Sequence, residues 1–328
     1  MPAQKKTPRK ESPLAHPAHI ALVQCMRVKP NERVLVVTNP EKIGIAQALY
    51  DEAVKIGADV AMLVYPAGKV NGEEPPAAVA DAMFQSSVVI APTVVSISHT
   101  NARRRACKEG KARIATLPGI REDSFIRGMS ADYQEVGDIT KRIFRALNKA
   151  KRCHITSPGG TDLELDVNNP AMPSAAQIFK PGDFTNLPDG ETSLAPRTAN
   201  GVLVADSSGS VITEPTRIEL KDGFIIKIQG NPSGMRFKKL LEATAKKDRN
   251  RNAFGIAELG IGTNPSAKIC GSVLEDEKVL GTCHIAFGSN KSFPNGKRHS
   301  SIHIDVIVMK PTIVLDSKTI IEKGALLI

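Results

Sequence analysis

The sequence predicts an α/β N-terminal domain built on a parallel sheet, followed by a β-rich α+β C-terminal domain that carries a metal site. Three observations predict this. Apolar strand-like runs alternate with helix-like stretches over residues 19–150. From about residue 152, short β-like runs separated by Gly, Pro and Asn take over. That second half also holds two Glu, two His and one Asp on strands or at strand ends.

The elements are taken in order. Residues 1–18 begin MPAQKKTPRKESP, basic and polar without an apolar segment, and read as a disordered arm and not as a secretory signal. RVLVVT (33–38) reads as a strand. Residues 43–58 read as a helix, with apolar residues at three- and four-residue spacing and Gly57 near its end. Strands at 59–66, 87–92 and 112–119 then alternate with helices at 76–87, 100–110 and 138–151. This alternation implies parallel pairing in a layered α/β domain. The turn after the first strand is TNPEKIG, without the G-x-G-x-x-G glycines that let a backbone approach a pyrophosphate, so a dinucleotide is not expected. The boundary falls near residue 150, with the second domain spanning 151–328 and one helix at 234–247 interrupting its strands.

The bulk numbers narrow the class. The chain has 328 residues, 41% of them hydrophobic, enough for about two domains. No apolar run approaches the ~20 residues of a membrane helix, so a soluble protein is expected. The five cysteines (Cys25, Cys107, Cys153, Cys270, Cys283) are odd in number and never spaced C-x-x-C. This argues against a disulfide framework and fits a cytoplasmic location. The net charge of +10 is scattered, and aromatics are 4% with no Trp, which leaves few platforms for base stacking. The charge therefore reads as solvated faces, and nucleic acid is not the expected partner. A non-catalytic nucleic-acid-binding module using the arm and Arg103–Arg105 stands as a second alternative.

Four segments carry the candidate chemistry. In SSIHIDVI, residues i and i+2 of a strand project from one face, so His303 and Asp305 point the same way. His284 lies in GTCHIAFG, with Cys283 on the opposite face, behind the site. Glu258 sits in the otherwise apolar FGIAELGIG, where a carboxylate is costly unless paired or bound to a cation. Glu191 follows the Pro-Asp-Gly turn of NLPDGE. Mixed nitrogen and oxygen donors of this kind suit Zn, Mn, Co or Fe(II), and two ions sharing a carboxylate could activate a water. His99, in SISHTNARRR, reads either as a cleft residue or as packing beside a helix capped by Thr100.

The pieces NLPDGE, GVLVAD, the run 218–230, AELGIGTNP, EDEKVLGTCHIAFGSN and SSIHID resemble the aminopeptidase T type of thermophilic metallo-aminopeptidases, and more weakly the likeness extends over residues 19–150. The resemblance implies a homodimeric hydrolase that removes N-terminal residues from short peptides. It also implies about two divalent metals (Zn, Co or Mn) held by Glu191, Glu258, His284, His303 and Asp305. Glu258 would bridge the metals or act as catalytic base. The family's catalytic Tyr, about seven residues after the first His, is missing. Lys291 stands there and is the candidate substitute. The alternative is a non-haem Fe(II) ring-cleaving dioxygenase of the 2,5-dihydroxypyridine type, which shares the architecture and has a His at the place of Glu258. Retention of Glu258 and Glu191 points to the hydrolase, and loss of the Tyr points to the dioxygenase.

Overall fold

The computed structural model describes residues 12–328, so most of the predicted arm lies outside the described residues. The described end of that arm departs from expectation. Ala15–His19 form helix α1, which runs on as a π-helical stretch Ile20–Cys25, with Leu14, Ala18, Ile20 and Leu22 buried. The apolar residues that follow Pro13 decide this, and the local excess of Lys and Pro does not extend to them.

The chain then runs β1 (Arg33–Thr38), α2 (Ile43–Ile56), β2 (Asp59–Val64), α3 (Ala77–Gln85), β3 (Val88–Thr93), α4 (Asn101–Lys108), β4 (Arg113–Pro118) and α5 (Glu122–Gly128). Helix α2 stops where expected because Gly57 takes φ +84°, a left-handed conformation that terminates helices. Helix α4 starts at Thr100, whose Oγ1 accepts from the Arg103 backbone N–H at 3.2 Å. The neighbouring His99 is exposed.

Along the chain there follow α6 (Tyr133–Leu147), β5 (Arg152–Thr156), β6 (Asp162–Asp166), β7 (Met172–Ser174), β8 (Phe184–Asn186), which returns to the first sheet, β9 (Glu191–Leu194), β10 (Thr198–Ala205), β11 (Thr216–Lys221) and β12 (Phe224–Ile228). It continues with α7 (Pro232–Asp248), β13 (Ile256–Gly262), α8 (Val273–Asp276), β14 (Thr282–Gly288), β15 (His303–Met309), β16 (Thr312–Leu315), β17 (Lys318–Glu322) and β18 (Ala325–Leu326).

Contacts divide the chain into two compact units. One ends at Ser130 and takes back Ile178–Leu187; the other is Ala131–Gln177 with Pro188–Ile328. The first holds a five-stranded sheet in the order β2-β1-β3-β4-β8, parallel throughout. The change of texture near residue 150 is not the unit boundary. Helix α6 buries Ile139, Ile143 and Leu147 in the core of the second unit, so it belongs there. It also begins at Tyr133, five residues earlier than its apolar spacing indicates, because Asp132 caps it by accepting from Gln134.

A buried ion pair staples the first unit. Arg113 donates to both oxygens of Glu32, at 3.0 and 2.9 Å, with side chains only 10% and 21% exposed. Burial opposes the Glu32 charge, but the Arg113 bonds and the Lys29 N–H outweigh it and hold the carboxyl below its ordinary value of 4.5. The sign follows: the contribution is complete above pH 4.5 and is lost as pH falls through the depressed value. Arg113→Met is expected to cost about 1.5–3 kcal/mol, the range for hydrogen bonds to charged groups, measured by urea unfolding at about pH 7 and shrinking at low pH. An unchanged midpoint would mean that the pair contributes nothing.

The second unit is built on two antiparallel sheets, of eight strands (β12-β11-β10-β6-β5-β16-β17-β18) and five strands (β15-β14-β13-β9-β7). Leu163, Leu203 and Ile218 of the first sheet and Leu259, Ile261, Ile285, Val306 and Val308 of the second share one core, closed by Phe237 and Leu241 of α7. One face of the five-stranded sheet is thus committed to the core. Among the described residues, no helix is long and apolar enough to cross a membrane, and all five cysteines are free thiols.

Candidate metal centre

The other face of the five-stranded sheet carries the candidate ligands. Register sets this. Glu258 pairs with Ala286, which pairs with Asp305; His284 lies opposite Gly260; Gly262 lies opposite Glu191; His303 lies opposite Gly288. Residues directly opposite in an antiparallel sheet share a face, and so do residues two apart. Glu191, Glu258, His284, His303 and Asp305 therefore converge from four adjacent strands. Cys283 points into the core behind them, as its place beside His284 predicts. The face is cleared by glycine: a Cβ on Gly260 would lie 2.1 Å from His284 Nε2, so only glycine leaves room for the imidazole.

The distances describe one connected cluster. Glu258 lies between the imidazoles, with Oε2 2.9 Å from His303 Nε2 and Oε1 3.5 Å from His284 Nε2. Glu191 Oε2 is 3.5 Å from His284 Nε2, and Asp305 Oδ1 is 3.5 Å from His303 Nε2. His303 Nδ1 is 2.7 Å from the Ser289 carbonyl, which can only accept, so the ring carries a proton there and presents Nε2 to the carboxylates. Phe293 stacks on the same ring, with centroids 6.4 Å apart.

Two further residues belong to the cluster. Lys278, 3% exposed, sits 2.8 Å from Glu191 Oε1 and 2.8 Å from Glu277 Oε1. Glu277 in turn groups with His284 and Asp305. The signal for both was the charged run EDEK (275–278) ahead of the His284 strand, which a search for ligands on strands passes over. Lys291, by contrast, is exposed in the turn after β14. The cation that meets the carboxylates is Lys278, held inward because the segment after α8 pairs with Asn264 next to β13.

Burial and charge perturb the whole set. Burial works against a charged His284, but Glu258 and Glu191 outweigh it and raise its pKa to about 9. His303 is raised well above its ordinary value, against burial, by Asp305 and Glu258. Burial disfavours the Glu258 charge, yet the two imidazoles hold it well below the usual carboxylate range. Glu191 is raised, chiefly by burial, and Glu277 is pushed up to about 8 for the same reason. Lys278 is raised because Glu191 and Glu277 overcome the penalty of burying it.

The donors fit a divalent cation. They fall into three overlapping groups, Glu191–Glu258–His284, Glu258–His303–Asp305 and Glu277–His284–Asp305, each with ligand atoms within 4.8 Å of one another. Among the described residues, four buried side-chain polar atoms lack a hydrogen-bond partner. Three of them are here: Glu191 Oε2, His284 Nδ1 and Asp305 Oδ1. Buried polar atoms are rarely left so, and a cation among oxygen and imidazole donors is the ordinary remedy.

The family model "NicX: 2,5-dihydroxypyridine 5,6-dioxygenase" matches residues 17–328. The chain belongs to this family. Two solved structures share the fold along nearly the whole length. One is 2,5-dihydroxypyridine dioxygenase from Pseudomonas putida KT2440, with TM-score 0.77, 19% identity and 96% of each chain covered. The other is wild-type AmpT from Thermus thermophilus, with TM-score 0.70, 15% identity, 96% of this chain and 99% of that one. At such identities the likeness speaks for the fold alone. No curated protein matches the chain in sequence. The resemblance to aminopeptidase T therefore holds for the architecture, while the family is that of the dioxygenases.

Protons compete with a cation for this site, and the direction is fixed. His284 and His303 are raised, so their ion pairs contribute fully below their ordinary value of 6.5, and the His284 share is lost as pH rises through about 9. Glu277, raised from 4.5 to about 8, costs stability as pH rises between those two values, because the unfolded carboxyl ionises first, and adds nothing further above about 8. The metal-free protein is expected to lose thermal stability between pH 6.5 and 9, while added divalent metal stabilises more as pH rises. Calorimetric scans with and without metal at the two pH values check this. Equal metal-induced shifts at both would contradict the proton competition.

Proposed function

We propose that the chain is an Fe(II)-dependent ring-cleaving dioxygenase acting on a dihydroxylated pyridine-type ring. The observation that carries this reading is the family match along residues 17–328. The donor set supports it: two imidazoles with carboxylates make the composition that non-haem iron oxygenases use. His284 and His303 supply the two imidazoles, with Glu258 between them. Bound iron would supply the one-electron chemistry with oxygen and polarise a ring hydroxyl. The protein's own groups do the rest. His303 offers Nε2 because Nδ1–H is committed to Ser289, Lys278 offsets the excess of carboxylate, and Glu277, its pKa pushed up to about 8 by burial, can hold or release a proton beside the site.

A second reading, the two-metal aminopeptidase, is favoured by one observation. Glu258 turns one oxygen to each imidazole, the disposition of a carboxylate shared by two ions. One experiment separates the readings. Metal-free protein is reloaded anaerobically with Fe(II), or with Zn, Co or Mn, and each preparation is assayed for oxygen uptake with 2,5-dihydroxypyridine and for hydrolysis of short leucyl peptides. The dioxygenase reading expects one iron per chain and oxygen uptake matching loss of ring absorbance. Two ions per chain with peptide hydrolysis and no oxygen uptake would replace it by the hydrolase.

A further inference from the structure

A cavity of about 610 Å³ opens in the same unit, lined among others by Asn169, Arg197, Phe224, Asn290, Lys297 and Arg298. Its volume falls within the range of small-molecule sites. Its chemistry is one-sided: two guanidiniums, one ammonium and several carboxamides, with no acidic lining residue. Among the described residues, none of Arg197, Lys297 and Arg298 forms an ion pair, in a chain where many exposed cations do. Arg298 is half-buried, and burial alone lowers its pKa. An anion in the cavity would offset that burial further.

The cationic wall is held in place. The guanidinium of Arg298 donates to the Ile256 carbonyl and lies 5.0 Å from the Phe224 ring centroid. Asn290, 7% exposed, accepts the Arg298 N–H at 2.8 Å and donates its own N–H to the Arg298 carbonyl at 3.1 Å. Residues 290–298 are thereby closed into a loop, which Gly296 lets fold tightly, since a Cβ there would meet the Asn290 carbonyl. The same loop carries Phe293 onto His303 and follows directly on Ser289, whose carbonyl fixes the His303 ring.

We propose that this cavity binds a compact dianion, a phosphate monoester or a small dicarboxylate, through Arg197, Lys297 and Arg298, and that its occupant steadies the loop packed on His303. Guanidinium forks match both anions, and the carboxamides supply the remaining donors. The inference does not depend on which reaction the metal centre performs.

The test is calorimetric titration of the full metal-loaded chain with inorganic phosphate and, separately, with malonate, at about 0.15 M salt so that exposed charges are screened. Saturable binding of one anion per chain is expected. The exposed pair Arg197→Ala/Lys297→Ala should weaken it about tenfold or more, whereas Lys246→Ala/Lys247→Ala, which removes equal charge from α7, should not. Preference for phosphate or for malonate assigns the source. Metal loss to a chelator should be slower with the preferred anion, in the parent chain only. Absence of saturable binding, or equal weakening in both double variants, would overturn the site; an unchanged rate of metal loss would overturn the link to His303.

Discussion

Replacing Glu258 by Gln is expected to abolish metal retention while leaving the chain folded. The substitution keeps the shape of the side chain and removes the charge that two imidazoles share at 2.9 and 3.5 Å. Both histidines then lose the partner that keeps them charged in a buried site, and the cation loses a donor present in two of the three ligand groups. Outer-shell substitutions at metal sites cost about 10–100-fold in affinity, and a direct ligand should exceed that. Without metal, losing one partner of a buried charge cluster costs about 3–5 kcal/mol in comparable cases. Part of this is relieved here, because the neutral amide can still accept from one ring. Elemental analysis and metal titration give the first number, urea unfolding the second. Metal retained with parental affinity in the Glu258→Gln chain would remove Glu258 from the site.

Replacing Gly260 by Ala should be nearly as severe, although Gly260 carries no chemistry. The added methyl would sit 2.1 Å from His284 Nε2 and 2.2 Å from Cε1. The backbone cannot yield, because β13 is paired on both sides, with Gly260 opposite His284 on β14 and Ser193 on β9. The imidazole, 1% exposed, must therefore leave its place. Overpacking of this kind costs about 1–3 kcal/mol, and metal affinity should fall as far as it does in His284→Ala. Gly230→Ala is the matched control, since nothing lies within 4 Å of a Cβ there. Parental metal affinity in Gly260→Ala, with the fold intact, would mean that His284 is not a ligand.

Much of the site was legible because strands have a period of two. The alternation in SSIHIDVI puts His303 and Asp305 on one face, and the same period after Glu258 sets Gly260 and Gly262 in its row. A glycine on the ligand face of an otherwise apolar strand marks a close approach: Gly260 makes room for the His284 ring of the next strand, and Gly262 for the Val279 backbone. Lys278 and Glu277 stand in the sequence only as part of the charged run EDEK, and nothing there says that they reach the site, because they come from the segment after α8, where no periodicity reports direction. The tie between Lys291 and the missing Tyr rested on sequence distance alone, and the turn leaves that side chain exposed.

The sequence by itself determined the parallel α/β class of the first unit, the β-rich class of the second, and the residue types able to hold a cation. Local forces write these: apolar periodicity, the Gly57 stop, the Thr100 cap, and the cost of placing Glu258 in an apolar strand. Only the tertiary structure decided which strands are neighbours, hence that four of them bring five candidate ligands together, and that α6 joins the second unit. It also decided that a lysine from outside the sheet balances their charge. Strand order and register depend on contacts between residues far apart in the chain, as from Glu191 to Gly262 and from His284 to Ile307, and no local pattern encodes them.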